Sequence, residues 1–350
     1  MFRYIGNKTK LIPILMEEIR SIVPSGSTVV DLMAGTGSVS LALRKGGYRV
    51  IASDMMTYSK HHLVTQLMLN SPPAFLSLRS ELPRNTDKPM YHLIIDYLNS
   101  LSPKEGYFYK EFSPDGKPAN GMPSRKYFTS ENAKLIDAIR DNINEWIFYG
   151  FISDEEESVL KHTLIMAVNE VANISGTYGY FLSNFTKSAS NKLALFPVCF
   201  DEKSSVDNSV IQGFAEEISK NITANLCYID PPYMKRQYAA NYHVLETIAR
   251  GDFPDAVGKS GLRNWWDQHS KFCTKTKIRD SFRKIFSTMN CPIFLISYSE
   301  DGLLSIEELV SLFVEFGQVS IKTIEHSRFR SNNSSLEKNI DEYIIKLVLH

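Results

Sequence analysis

The segment STVVDLMAGTGSVSLALRKGGYRVIASD, Ser27 to Asp54, alternates element types at a spacing that few folds accept. A β-branched run reads as a buried strand, and a glycine turn follows it. SVSLALRKGGY then reads as a short helix stopped by Gly46 and Gly47, and RVIASD as a second strand. Strand, turn, helix and strand in this order close only as a crossover between parallel neighbours. The chain is therefore expected to open a parallel α/β sheet, with a helical pattern from Lys10 to Ile22 ahead of it.

Sheet character returns late, at NLCYID, at CPIFLISYS, and in the alternating pair QVSIKTIEH and DEYIIKLVLH, which reads as a terminal hairpin or paired strands. The intervening chain is too long for a loop. It begins with Pro72, Pro73, Pro83 and Pro89 interrupting weak helices, passes through the irregular SPDGKPANGMPSR, and holds two stronger helices, TSENAKLIDAIRDNINEWI and SDEEESVLKHTLIMAVNEVANI. Each opens on a Ser or Thr cap with acids in its first turn, so the run Asp154 to Glu157 reads as helix-start chemistry without a metal role. The expected division is a split sheet domain, 1–70 and 215–350, around an inserted domain, 71–214.

Apolar residues make up 43% and charged residues 22% of the 350, which suits a folded globular chain. The N-terminus MFRYIGNKTK lacks a signal pattern, and no window approaches a membrane span, so a cytoplasmic location without membrane contact is expected. Cys199, Cys227, Cys273 and Cys291 form neither a CxxC pair nor a Cys/His cluster, which predicts reduced thiols and no metal. Formal net charge is zero, so any grip on a polyanion must be local. One stretch offers it. Lys259, Arg263, Lys271, Lys275, Lys277, Arg279, Arg283 and Lys284 lie among Trp265, Trp266 and Phe272, where cations can neutralise phosphates and exposed rings can stack on bases. A solvated helix beside two core tryptophans is the competing reading.

In the turn DLMAGTGS, Gly35 and Gly37 let backbone approach a ligand at a helix N-terminus. The dinucleotide fingerprint is incomplete, because Ser40 occupies the position three after Gly37. Asp54, at the end of the second strand, can accept from ribose hydroxyls, which implies a nucleoside. Asp31, at the end of the first, suits a cationic ligand better than a pyrophosphate, and S-adenosylmethionine carries such a cation. Further on, IDPPY delivers Asp230 to the carboxyl edge of the sheet, where open α/β folds bind ligands, and its prolines end the ladder. Asp230 and the Pro231 carbonyl supply two acceptors beside the flat ring of Tyr233. That set matches an exocyclic amine on a base, whose delocalised lone pair becomes nucleophilic when both hydrogens are held.

With these motifs the chain resembles the Dam-type DNA adenine-N6 methyltransferases. Its motif order is similar to the alpha group, in which the cofactor motif precedes a target-recognition insertion and DPPY follows it. It resembles in particular the adenine methylases that accompany type IIS restriction enzymes of the FokI kind. RYIGNKTKL is similar to the family's first motif, which places Tyr4, Gly6 and Lys8 around the methionine end of the cofactor, with Lys8 near its carboxylate or a DNA phosphate. DLMAGTGSVS is similar to the family's Phe-x-Gly-x-Gly motif, with Met33 where phenylalanine is commoner. NYHVLETIARGDFP, FLISYSEDGLL and GTYGYFLSNF resemble further family blocks, and Asn173, Tyr178, Tyr180 and Asn241 are candidate DNA-facing positions.

The resemblance implies a Rossmann-like S-adenosylmethionine-dependent methyltransferase sheet with a mainly helical target-recognition insertion. Cofactor contacts are expected from Tyr4, Lys8, Asp31, Met33, Ala34, Gly35, Thr36, Gly37, Asp54, Met55 and Asp230, and the transfer site from Asp230, Pro231, Pro232 and Tyr233. The implied partner is double-stranded DNA, with the target adenine flipped out and a cognate restriction endonuclease as a functional counterpart. Cytosine N4, an RNA or protein amine, and a non-catalytic DNA-binding shell remain as alternatives.

Overall fold

The computed structural model describes residues 8, 10–80, 87–119, 121–200, 207–327 and 339–350. Two compact units divide them, and the chain passes between the two more than once. One unit takes the described residues of 7–63, 204–238 and 268–350; the other takes those of 64–203 and 239–267.

The first unit is built on a seven-stranded sheet. Its strands are β1 (Thr28–Asp31), β2 (Arg49–Asp54), β3 (Ser209–Gln212), β4 (Leu226–Ile229), β5 (Ile293–Ser299), β6 (Gly317–Ser327) and β7 (Asn339–Leu349). Their spatial order is β3-β2-β1-β4-β5-β7-β6. The first five run parallel, while β7 lies antiparallel between β5 and β6. All four residues of β4 are buried, as its apolar run LCYI requires of a parallel strand covered on both faces. Helices Ile278–Thr288 and Ile306–Phe313 pack Phe282, Ile285, Phe286, Leu309, Leu312 and Phe313 into the same core cluster as Phe294 and Ile296. Ser305 and Glu308 close the second of these helices with a reciprocal capping box.

β3 lies inside the stretch assigned from sequence to the insertion. It is short and only half-buried, so it carries no strong apolar alternation. Its register with β2 is nonetheless complete, from Ile51 opposite Ser209 to Asp54 opposite Gln212, and Asn208 Oδ1 accepts from the Val50 amide.

The second unit is mainly helical. Helix Ser130–Phe148 starts on Thr129, whose hydroxyl accepts from the Asn132 amide, and helix Asp154–Glu170 starts on a Ser153–Glu156 capping box. The acidic run is thus the first turn of a helix, favourably placed against its dipole. Residues 239–267 join this unit although they follow β4, a departure from the expected 71–214 boundary. Buried arginines account for it: Arg125 donates to the carbonyls of Ala256 and Gly258, and Arg140 to that of Asp252. Among the described residues no helix is long and apolar enough to cross a membrane.

Candidate active site

The strand order reverses between β1 and β4, because β1 continues toward β2 while β4 continues toward β5. Open parallel sheets bind ligands at the carboxyl ends of strands that flank such a reversal. Asp31 pairs with Tyr228 across these two strands, so the last residue of β1 and the residue that follows β4, Asp230, share one edge.

The loop after β1 is held by its own backbone. Leu32 donates to the Tyr228 carbonyl, Ala34 to that of Ser53, and the Gly37 amide to that of Ala34. Gly35 and Gly37 have φ of 54° and 80°, left-handed values that a side chain resists, and Gly37 caps helix Ser38–Lys45. Met33, Ala34 and Thr36 remain partly exposed along this loop. Asp54 fastens it from the neighbouring strand. Its Oδ2 accepts from the Gly35 amide and its Oδ1 from the Met56 amide, each at 2.8 Å. The Gly35 amide is thereby spent within the protein, so fewer amides face outward than the sequence suggested. Met55 stands between these contacts, its carbonyl accepting from Gln268 and Gln212.

Asp31 is almost fully buried, and Ser40 donates its hydroxyl at 2.6 Å. Burial pushes the carboxyl up to about 7, with the negative charges of Asp230 and Asp54 adding to it and Ser40 opposing. A buried carboxylate with one neutral donor is short of a cation. The donor set therefore fits the positive end of S-adenosylmethionine and rejects a phosphate. Ser40, the residue that breaks the dinucleotide fingerprint, is the one that engages this acid.

Pro231, buried, and Pro232 end β4, and Tyr233 closes the turn. The Leu303 amide donates to the Tyr233 carbonyl at 2.9 Å, and the Tyr298 ring meets the Tyr233 ring edge-on at 5.9 Å. The segment FLISYSEDGLL thus acts as the clamp on the turn. Burial drives the Tyr233 hydroxyl up to about 12. Asp230 is 18% exposed, and burial lifts its carboxyl to about 6, with the Lys8 ammonium opposing. Among the described residues its one partner is that ammonium, at 3.3 Å.

Lys8 reaches a second acid besides Asp230. Its Nζ is also 3.1 Å from Glu342 Oε2 on β7, and 5.5 Å from the centre of the Tyr233 ring. Burial disfavours the ammonium, but Asp230, Tyr233 and Glu342 outweigh that and hold it charged. It is held by two carboxylates. Glu342 escaped the sequence reading, since it is one of several polar residues, with Asn339, Asp341 and Lys346, along the terminal strand. Tyr4 and Gly6 lie outside the described residues.

Other expectations need revision. Asn173 is fully buried, donating to the carbonyls of Lys126 and Leu182 and accepting from the Thr186 amide, and Tyr178 is buried with its carbonyl taking the Tyr127 hydroxyl. Neither can face DNA in this arrangement. Tyr180 is exposed, and Asn241 is partly so, its carbonyl accepting from the Tyr178 amide. In the basic stretch Phe272 is core, while Arg263 pairs with Asp252, Arg279 with Glu308, Arg283 with Glu315 and Lys284 with Glu217. The tryptophans are not core: Trp265 and Trp266 stack at 5.0 Å, with Trp266 largely exposed.

The chain is 35% identical to modification methylase LlaI of Lactococcus lactis subsp. lactis, over 98% of this chain and 54% of that protein. It is 33% identical to type II methyltransferase M.NlaIII of Neisseria lactamica, over 95% and 93% of the two chains, and 33% identical to type II methyltransferase M.FokI of Planomicrobium okeanokoites, over 98% and 52%. The chain thus spans about half the length of the LlaI and FokI methylases and nearly the whole of the NlaIII one. Residues 4–312 match the profile of one family, and the chain belongs to it: the D12 class N6 adenine-specific DNA methyltransferases.

Proposed function

We propose that this protein methylates the N6 amine of adenine in double-stranded DNA at a specific site, as the modification half of a restriction-modification pair. The observation that carries the chemistry is Asp230, an acceptor at the carboxyl edge of β4 whose one partner among the described residues is a cation. Bound S-adenosylmethionine supplies an electrophilic methyl group on a sulfonium. Asp31 would hold its positive end, the Gly35–Gly37 turn its approach, and Asp54 and Met55 its nucleoside side.

The protein's own groups handle the amine. Asp230 accepts one of its hydrogens and the Pro231 carbonyl the other, drawing the nitrogen toward the pyramidal form in which its lone pair is available. Tyr233 offers a ring face to the base. As the new N–C bond forms, the pair of the old bond to methyl leaves with sulfur, and the nitrogen becomes cationic. Asp230 is placed to take the surplus proton and return it to solvent. Reaching the amine requires flipping the base from the duplex, at about a few kcal/mol. We assign that work and target recognition to the helical unit, supported by its exposed Trp266 and Tyr180 rings.

The test is expression in a host without adenine methylation, followed by single-molecule sequencing of its DNA. N6-methyladenine at one recurring sequence is the expected result. Unmodified DNA from soluble protein that binds S-adenosylmethionine, or methylcytosine in its place, would overturn the reading.

A further inference from the structure

Glu342 stands on β7 opposite Ser299 at the end of β5, and it is the third member of a buried charge cluster. The Lys8 ammonium lies 3.1 Å from Glu342 Oε2 and 3.3 Å from Asp230 Oδ1, with side chains exposed by 5% for Lys8, 12% for Glu342 and 18% for Asp230. Two carboxylates thus share one cation, and the cluster carries a net charge of −1. Lys8 and Asp230 alone would be a neutral pair. That difference matters where a positive charge is about to form, since only a site with surplus negative charge favours the cationic transition state over the neutral amine.

We propose that Glu342 is a positioning residue for methyl transfer: by holding its share of the Lys8 ammonium, it keeps an Asp230 lone pair available to accept from the amine. The inference rests on the proposed role of Asp230. Without Glu342, the ammonium has one carboxylate left, and it draws on the lone pair that the adenine amine needs. The attack itself is unchanged in its electron count. What changes is the charge the nitrogen meets as it gives up its pair. Among the described residues, the other titratable groups around the cluster are Tyr228 on β4, Tyr233 in the turn, Asp31 on β1 and Asp301 after β5, none of them a cation. Lys8 is therefore the group through which Glu342 acts.

The decisive variant is Glu342→Gln, which keeps the shape and an oxygen for Lys8 but removes the charge. Single-turnover methylation should be followed across pH at saturating DNA and S-adenosylmethionine. The rate should fall by about 10- to 100-fold, with Michaelis constants for both substrates within about twofold. Its acid limb should move to lower pH, because Glu342 helps to raise the Asp230 carboxyl and its loss leaves Lys8 acting on Asp230 alone. Glu342→Asp, which keeps the charge, should restore the wild-type pH profile even if its stability is lower. In a Lys8→Met background, Glu342→Gln should change the rate by less than about twofold, because the carrier of its effect is gone.

An unshifted acid limb in Glu342→Gln, a loss confined to the Michaelis constants, or a full effect persisting without Lys8 would each overturn the proposal. Asp230→Ala, run alongside, separates the two levels. If it is inactive while Glu342→Gln behaves as wild type, the positioning role alone fails; if it turns over normally, the acceptor role fails and takes this proposal with it.

Discussion

Two buried aspartates, one in each unit, have carboxyls raised by burial to about 6, and their surroundings could hardly differ more. Asp137, on helix Ser130–Phe148, accepts from the amides of Phe108 and Tyr109 at 2.8 Å and of Gly106 at 3.1 Å. Those amides open helix Tyr107–Phe112, which has no side-chain cap of its own, so Asp137 caps it from a distance. Asp230 has Lys8 and no amide among the described residues. A raised carboxyl therefore does not by itself mark a reactive site. What separates scaffold from chemistry is whether the lone pairs are already taken.

Substituting both acids is the sharpest way to break this contrast. Asp230→Ala should lower the methylation rate by at least about 10³-fold, comparable to losing a main electrostatic contact of a transition state, while a gel-shift assay finds DNA binding within a few-fold of wild type. Asp137→Ala should do the opposite. It leaves buried amides unpaired and should cost about 3 kcal/mol in denaturant unfolding, with activity per folded molecule preserved. A dead but stable Asp137 variant would dissolve the distinction.

Smaller effects sharpen the chemical side. Gly37→Ala forces a side chain into a left-handed conformation at about 1–2 kcal/mol, and calorimetry should find S-adenosylmethionine bound roughly tenfold more weakly. The pH dependence of that binding is a further check. With the Asp31 carboxyl near 7 in the ligand-free protein, a cationic ligand must displace its proton at lower pH, so affinity should be about tenfold weaker at pH 6 than at pH 8. Stability runs the opposite way: because the folded value exceeds the unfolded one, the Asp31 contribution is fully present in acid and is lost as pH rises through about 7. A flat binding profile would remove Asp31 from the cofactor's cationic end. Tyr233→Phe should have the smallest effect, under about twofold in rate, since stacking needs only the ring; a larger loss would assign work to the hydroxyl.

Legibility from sequence followed burial. β1, β2, β4 and β5 are continuous apolar runs because parallel strands are covered on both faces, and their ends place Asp31, Asp54 and Asp230 at once. β3 escaped because a half-buried edge strand needs no such run. Asn173 and Tyr178 were candidates for facing DNA, with packing or capping as the equal alternative, and their burial selects the packed one. In a stretch with no helix or strand, buried backbone groups must find side chains, and Asn173 serves three of them. The Lys8–Glu342 pair spans 334 positions in the chain, and no local pattern can announce a contact of that kind.

The interleaving of the two units also sets a timetable for synthesis. The helical unit has all its described residues once Asp267 is made, whereas the sheet unit waits for β5, β6 and β7, the last of which ends at Leu349. At about 5–20 residues per second, the last of those strands is complete some 4–16 s later. Asp230 is by then already translated, with the Thr28 to Asn225 link across 197 residues available but no β5 on its other side and no Glu342 for Lys8. A nascent chain thus displays the motif before it owns the charge cluster, because Glu342 lies on β7 and is made after β5 and β6.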